Sequence, residues 1–134
     1  MSTFLNSRKF PAVIHHLAFR CEDPEAIARF YERVFGFPRL RETNGNVWLD
    51  AGGGAILMIE KRDTSEPKVA AGTREFVAFT IAENERDAFR ARLVVAGVEI
   101  EAESEFTIYF RDPEGRRVGG SHFPEPPRAV PLRA

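Results

Sequence analysis

His16 and Glu60 are the side chains of this sequence best suited to chemistry on a small molecule. Imidazole and carboxylate groups can each bind a divalent metal or transfer a proton near neutral pH. His16 lies in an apolar run over residues 13–20 that alternates as a β-strand does. Glu60 ends a second apolar strand pattern, where it is either exposed at the rim or held in a site. Strand alternation puts His15 on the opposite face from His16, so we do not expect the two histidines to serve one site.

The strand that carries His16 recurs in the second half of the chain. Ala18 and Ala78 are identical, as are the phenylalanines that follow them, and a helical pattern comes after each copy. Where the first copy has His16, the second has Phe76. A chain of 134 residues is enough for one domain of usual size, so we expect the two copies to share one structure.

The pattern of each copy predicts a strand, a helix and three further strands. The first module is expected over residues 13–62 and the second over 75–123, within a single domain that has terminal arms at 1–12 and 124–134. Asp23 and Pro24 form a cap and first-turn pair for the first helix, and Gly36 ends it. The polar segment between the modules contains proline and glycine, which favours a connection without regular structure.

Composition excludes several partners. The formal net charge of -1, from 19 basic and 20 acidic residues, gives no electrostatic footprint for nucleic acid or anionic membranes. The sequence contains no apolar run approaching the ~18 residues of a membrane span. Cys21 is the one cysteine, so no internal disulfide can form, and we expect a cytoplasmic protein.

Three short motifs in this order carry a resemblance to a known family. They are His16-Leu17-Ala18-Phe19 with Asp23 and Phe30-Tyr31, then Val77-Ala78-Phe79, then the stretch from Tyr109 to Gly115 with its Asp112-Pro113 turn. Over residues 13–123 the chain resembles the vicinal oxygen chelate superfamily of glyoxalases, extradiol dioxygenases, and fosfomycin- and bleomycin-resistance proteins. The resemblance implies an α+β fold in which two βαβββ modules form a cupped mixed sheet with helices on its outside. It also implies that concave faces pair to enclose a pocket, often between two subunits.

The resemblance further implies four metal-ligand positions, one near the start and one near the end of each module. His16 matches the first position and Glu60 the second, whereas Phe76 and Gly119 stand at the third and fourth. A divalent metal held by His16 and Glu60 alone would be bound weakly. His122 lies three residues past Gly119, so a regular strand would turn it to the opposite face, and whether it substitutes for the missing ligand is left open.

Strand alternation assigns further residues to the pocket side. Arg20 and Glu60 supply charge, and Tyr109 and Ser121 supply hydroxyls that could orient a small organic molecule. The expected ligand-pocket residues are Arg20, Met58, Phe76, Thr80, Thr107, Tyr109 and Ser121.

Two functions follow from these residues. The first is a binding protein of the bleomycin-resistance type, whose aromatic pocket holds a small molecule without metal. The second is an enzyme, either a glyoxalase-like lyase or isomerase or one that is dioxygenase-like, with Glu60 and Tyr109 as catalytic groups and His16 as metal ligand or proton carrier. An apolar pocket disfavours the charged form of a carboxylate, which would suit Glu60 to act as a general base.

We predict that the protein is a homodimer. Each of the two modules is expected to form half of a cupped sheet, which leaves concave apolar faces that a second copy would cover. Sedimentation at micromolar concentration should give twice the mass of the chain. A monomer under those conditions would contradict the prediction.

Overall fold

The computed structural model describes residues 12–124, so the predicted arms lie outside it apart from their innermost residues. The first module contains β1 (His16–Cys21), α1 (Pro24–Phe35), β2 (Arg39–Thr43), β3 (Asn46–Asp50) and β4 (Ile56–Lys61). The second contains β5 (Phe76–Thr80), a short 3-10 turn (Glu83–Glu85), α2 (Arg86–Val95), β6 (Ile100–Glu103), β7 (Thr107–Arg111) and β8 (Arg117–Ser121). The predicted order of elements and the α+β class are confirmed. In the described part of the chain, neither helix is long and apolar enough to cross a membrane.

Each module forms its own four-stranded mixed sheet. The strand order is β1-β4-β3-β2 in the first sheet and β5-β8-β7-β6 in the second. In both sheets the first strand of the module runs parallel to the last, and the other neighbours are antiparallel. The β2–β3 hairpin turns at Asn44 and Gly45, whose φ angles of 52° and 83° belong to the tight turns that match strand twist.

Helix α1 begins and ends where its sequence predicts. Asp23 caps it by accepting a hydrogen bond from the backbone N–H of Ala26 at 3.2 Å, and Gly36 ends it in the left-handed conformation with φ of 74°. The buried face of α1 contacts both sheets. The Tyr31 ring lies 5.9 Å from that of Phe19 in β1 and 6.3 Å from that of Phe79 in β5. One apolar core therefore joins the two modules.

Strand alternation divides each sheet into an inner face, packed in this core, and an outer face. Inner positions such as Leu57, Ile59, Ile108 and Phe110 are fully buried. The outer face of the first sheet carries His16, Ala18, Arg20, Asn46, Trp48, Asp50, Ile56, Met58 and Glu60. The outer face of the second sheet carries Phe76, Ala78, Thr80, Thr107, Tyr109, Arg111, Arg117, Gly119 and Ser121. All the predicted site residues lie on these outer faces.

A buried carboxylate ties the modules together at the turn between β7 and β8. Asp112, only 3% exposed, accepts hydrogen bonds from the Tyr31 hydroxyl at 2.7 Å and from the Arg116 guanidinium at 2.9 Å. Its second oxygen accepts from the backbone N–H groups of Glu114 and Arg116. Burial raises the pKa of Tyr31 well above its ordinary value, which keeps the phenol protonated as a donor. We call this group of side chains the Asp112 junction.

Removing the Tyr31 hydroxyl should weaken the junction. The Tyr31→Phe variant loses a hydrogen bond to a buried charged acceptor, which should lower the free energy of unfolding by about 1.5–3 kcal/mol. Urea denaturation measures this loss. The other tyrosine supplies the matched control, since the Tyr109 side chain lies on an outer face and the Tyr109→Phe variant should stay within about 0.5 kcal/mol. Equal losses in the two variants would refute the structural role of Tyr31.

Candidate functional site

Phe76 and Gly119 lie close together on the outer face of the second sheet. A Cβ atom at position 119 would stand 3.7 Å from Cε2 of Phe76. The Phe76 ring also meets the Tyr109 ring edge to face, with centroids 5.0 Å apart. Because the register pairs Ala78 with Gly119 and Gly119 with Tyr109, two residues with minimal side chains lie beside the aromatic pair. The result is an apolar patch formed by the Phe76 and Tyr109 rings.

Three hydroxyl residues form the next row along the same face. Ser121 pairs with Thr80 on one side and with Thr107 on the other. The Thr107 hydroxyl donates a hydrogen bond to the Ser121 hydroxyl at 2.9 Å. A cavity of about 500 Å³ borders this row and is lined in part by Ala78, Thr80 and Ser121. The structure thus brings five of the predicted pocket residues together, namely Phe76, Thr80, Thr107, Tyr109 and Ser121.

The first sheet does not bring His16 and Glu60 together. The parallel register of β1 and β4 pairs His16 with Ile56 and Arg20 with Glu60. His16 and Glu60 are thus separated by four residues along the strands, or roughly 13 Å at the usual rise per residue. The sequence-based expectation that both side chains would ligate one metal or share one catalytic site is therefore wrong in geometry.

The internal repeat identifies a different residue as the counterpart of Gly119. Gly119 pairs with Ala78, and Met58 pairs with Ala18, the residue equivalent to Ala78 in the first module. Met58 therefore occupies the repeat position that was assigned to Glu60 from the sequence. The sequence contains part of this information, because the two copies align on Ala18 and Ala78. The equivalence of Met58 and Gly119 then follows once the pairing of β4 with β1 is known.

Arg20 and Glu60 are engaged with each other and with the connection between the modules. The Arg20 guanidinium donates to Glu60 at 3.1 Å, and its Nε atom donates to Glu66 at 2.9 Å. Glu66 also accepts from the Arg20 Nη2 atom and from the backbone N–H of Asp63. Glu60 therefore lies beside a cation rather than in the apolar surroundings expected for a general base. The Arg20–Glu66 pair holds the start of the connection against the first sheet.

The two adjacent histidines contact each other. Nδ1 of His15 lies 3.0 Å from Nδ1 of His16. The alternation expected from the sequence does not separate them, because β1 begins at His16 and His15 precedes the regular strand. Across residues 12–124, no group of three or more histidine, cysteine, aspartate or glutamate side chains is placed to hold a metal ion.

His122 follows the end of β8, where strand alternation turns it from the face of Gly119, although it lines the same cavity as Thr80 and Ser121. Its Nε2 atom is 3.0 Å from Nη1 of Arg86, the first residue of α2, and accepts a hydrogen bond from this permanently charged donor. Its ring packs edge to face on Phe106 at 5.7 Å. Since the second outer face does not include His122, this residue does not replace the ligand absent at Gly119.

Sequence reasoning missed Arg117, which is a central residue of the second outer face. Its side chain is only 10% exposed and its Nε atom donates to Glu101 at 2.8 Å. The guanidinium carbon lies 4.3 Å from the centroid of the Tyr109 ring, within the range of a cation–π contact. Strand alternation could have identified Arg117 from the sequence, because residues 117 and 119 of one strand lie on the same face.

The Arg20–Glu66 pair should protect the connection between the modules from cleavage by proteases. The Glu66→Gln variant loses a charge-assisted pair worth about 0.5–1 kcal/mol at this exposure, so trypsin should cut the connection at Lys68 and Arg74 about two- to fivefold faster. Arg20 lowers the pKa of Glu66, so this protection is present at neutral pH and is lost as the pH falls through that lowered value. Asp63→Asn is the control, because Asp63 is exposed and 3.9 Å from Arg20. Equal cleavage rates for both variants would contradict the assignment.

The sequence of this chain is similar to that of known proteins. A profile of the Glyoxalase/Bleomycin resistance protein/Dioxygenase superfamily matches residues 13–119. The metallothiol transferase FosB of Lysinibacillus sphaericus is 30% identical over 110 residues, which are 78% of this chain and 77% of that protein.

Two solved structures share the fold. The fosfomycin resistance protein FosX of Mesorhizobium loti superposes with a TM-score of 0.70 at 20% identity, covering 84% of this chain and 92% of that one. FosX of Listeria monocytogenes, solved in complex with Mn(II) and sulfate, gives a TM-score of 0.69 at 19% identity and covers 84% of this chain and 90% of that one. The chain belongs to the glyoxalase/bleomycin resistance protein/dioxygenase superfamily.

Proposed function

We propose that this protein binds a small organic molecule against the outer faces of its sheets and does not use the metal centre found among its relatives. The observation that carries the proposal is that Phe76 and Gly119 lie close together on one outer face. By the resemblance, these are the third and fourth ligand positions of the family. Neither residue offers a side-chain donor atom for a metal.

The residues at the four family positions do not fit a divalent ion. With Met58 at the position equivalent to Gly119, His16 is the one nitrogen or oxygen donor among the four. Borderline and harder divalent ions need several nitrogen or oxygen ligands from the protein. The FosB relative is named a metallothiol transferase, and the Listeria FosX structure is a complex with Mn(II). We assign no metal-dependent step to this chain, because its side chains at these positions could not hold the ion.

The chemistry of the second outer face suits a flat, largely apolar ligand. Phe76 and Tyr109 provide aromatic walls, and the side chains of Ala78 and Gly119 beside them are minimal. The hydroxyls of Thr80 and Ser121 stand one row away and can supply directional hydrogen bonds. Apolar walls with a few placed polar groups are the usual composition of small-molecule sites.

A second copy of the chain would complete this pocket. Each module has its own sheet, so each outer face of an isolated chain is open. Phe76 is 40% exposed on one outer face, and Val13 and Ile14, just before β1, are 71% and 64% exposed. Covering these groups would be favourable at about 25 cal/mol per Å² of apolar surface. We therefore propose a homodimer in which outer faces of the two copies enclose the ligand.

The glyoxalase-like alternative is less well supported. It requires Glu60 as a base close to His16, but the register separates these residues and Arg20 binds the Glu60 carboxylate. In the proposal Tyr109 contacts the ligand through its ring.

A neutral aromatic probe tests the proposed function. We expect 2-naphthol to bind at neutral pH with the same affinity after EDTA treatment and after addition of Mn, Ni or Zn ions, as measured by calorimetry. Phe76→Ala should weaken binding about 3- to 10-fold, because it removes one aromatic wall. Val95→Ala, which alters an 88% exposed apolar residue on helix α2, should not change it. Binding that appears only with added metal would overturn the proposal.

A further inference from the structure

Arg117 is a buried cation on the face that we propose binds the ligand. Its side chain is 10% exposed, although it belongs to an outer face rather than to the core. The Tyr109 ring lies 4.3 Å from the guanidinium carbon and the Phe76 ring 5.5 Å from it. The aromatic pair therefore covers part of the Arg117 side chain, and a charge removed from water in this way is costly unless it is paired.

The hydrogen bonding of Arg117 is incomplete. Its Nε atom donates to Glu101, but neither Nη1 nor Nη2 has a hydrogen-bond acceptor among the described residues. The neighbouring Arg111 differs, since it donates to Glu101 and its Nη1 atom also donates to the backbone oxygens of Thr73 and Gly115. Arg116 likewise uses both Nη atoms, on Asp112 and on the oxygen of Arg20. Arg117 thus keeps the forked end of its guanidinium available.

The local charge balance leaves a positive excess. Glu101 is shared by Arg117 at 2.8 Å and Arg111 at 3.0 Å, so one carboxylate faces two guanidinium groups. Their hydrogen bonds lower the pKa of Glu101, which keeps it ionised and holds Arg117 in position. The first outer face differs, because its Arg20 is bound by both Glu60 and Glu66. An anion would be favoured at Arg117 and not at Arg20.

We propose that Arg117 anchors an oxyanion of the ligand, so that the protein selects small aromatic molecules carrying a carboxylate or another planar oxyanion. This inference rests on the proposed function, since it concerns the same face. The Nη1 and Nη2 atoms form the fork that binds a carboxylate through two parallel hydrogen bonds. The aromatic part of the ligand lies along Phe76 and Tyr109, beside Gly119. Phosphonates offer related oxyanion chemistry in a tetrahedral shape, and the experiment separates the two.

Calorimetry with three related probes tests the proposal on the intact protein. The probes are 2-naphthoate, 2-naphthylphosphonate and neutral 2-naphthol, all at neutral pH. We expect 2-naphthoate to bind about 10- to 100-fold more tightly than 2-naphthol, the range that charge-assisted hydrogen bonds supply. A preference for the phosphonate over the carboxylate would keep the anchor but overturn the planar specificity. Equal affinity for 2-naphthoate and 2-naphthol would overturn the anchor while leaving the proposed function intact, and absence of binding by all three would overturn both.

Variants of Arg117 assign the preference to this side chain. Arg117→Gln should abolish the preference for 2-naphthoate while 2-naphthol still binds, and Arg117→Lys should retain part of it through charge alone. Arg29→Gln changes the net charge equally on the exposed side of helix α1 and should leave the preference unchanged. Thermal unfolding checks that each variant is folded. If Arg117→Gln is not folded, the proposal is tested by the lysine variant and by the affinities of the wild-type protein for the three probes. A preference that survives in either folded variant at the wild-type level would overturn the proposal.

Discussion

The buried Asp112 carboxylate is the constraint on which the relation between the two modules depends. An ionised group removed from water must recover its lost hydration through hydrogen bonds, and Asp112 does so with Tyr31, Arg116 and two backbone N–H groups. Tyr31 belongs to the first module and the remaining donors to the second. The requirement to satisfy one charge therefore fixes helix α1 of one module against the β7–β8 turn of the other. It also sets the start of β8, the strand that carries Arg117 and Gly119.

The two faces of each sheet are subject to different packing constraints. The inner faces supply residues such as Leu57 and Phe110 to one continuous core, where volume and packing determine what can be tolerated. The outer faces contribute little to this core, and their side chains are free to serve recognition. The division follows from strand alternation alone, since adjacent residues of one strand point to opposite faces. It explains how residues on the outer faces can be substituted without disturbing the core.

Much of the fold could be predicted from the sequence, because it depends on local signals. Helix α1 has a capping aspartate, a first-turn proline and a terminal glycine, and the strands alternate clearly enough to set which residues share a face. The site was less predictable, because it depends on how distant strands align. Nothing local indicates that Glu60 pairs with Arg20 instead of lying near His16, and only the parallel register reveals it. The same is true of Arg117, whose significance comes from Glu101 and Tyr109 on other strands.

The glycine at position 119 also constrains how this lineage can change. A Cβ atom there would lie 3.0 Å from the backbone oxygen of Ile108 and 3.1 Å from Cγ2 of Thr107, so even alanine would press on the neighbouring strand. A carboxylate side chain at this position would therefore require an adjustment of β7, and it would also contact the Phe76 ring. A metal-ligating side chain at position 119 would thus take more than one substitution. Substitution at position 119 is thus limited by the packing of β7 against β8, whatever molecule the outer face binds.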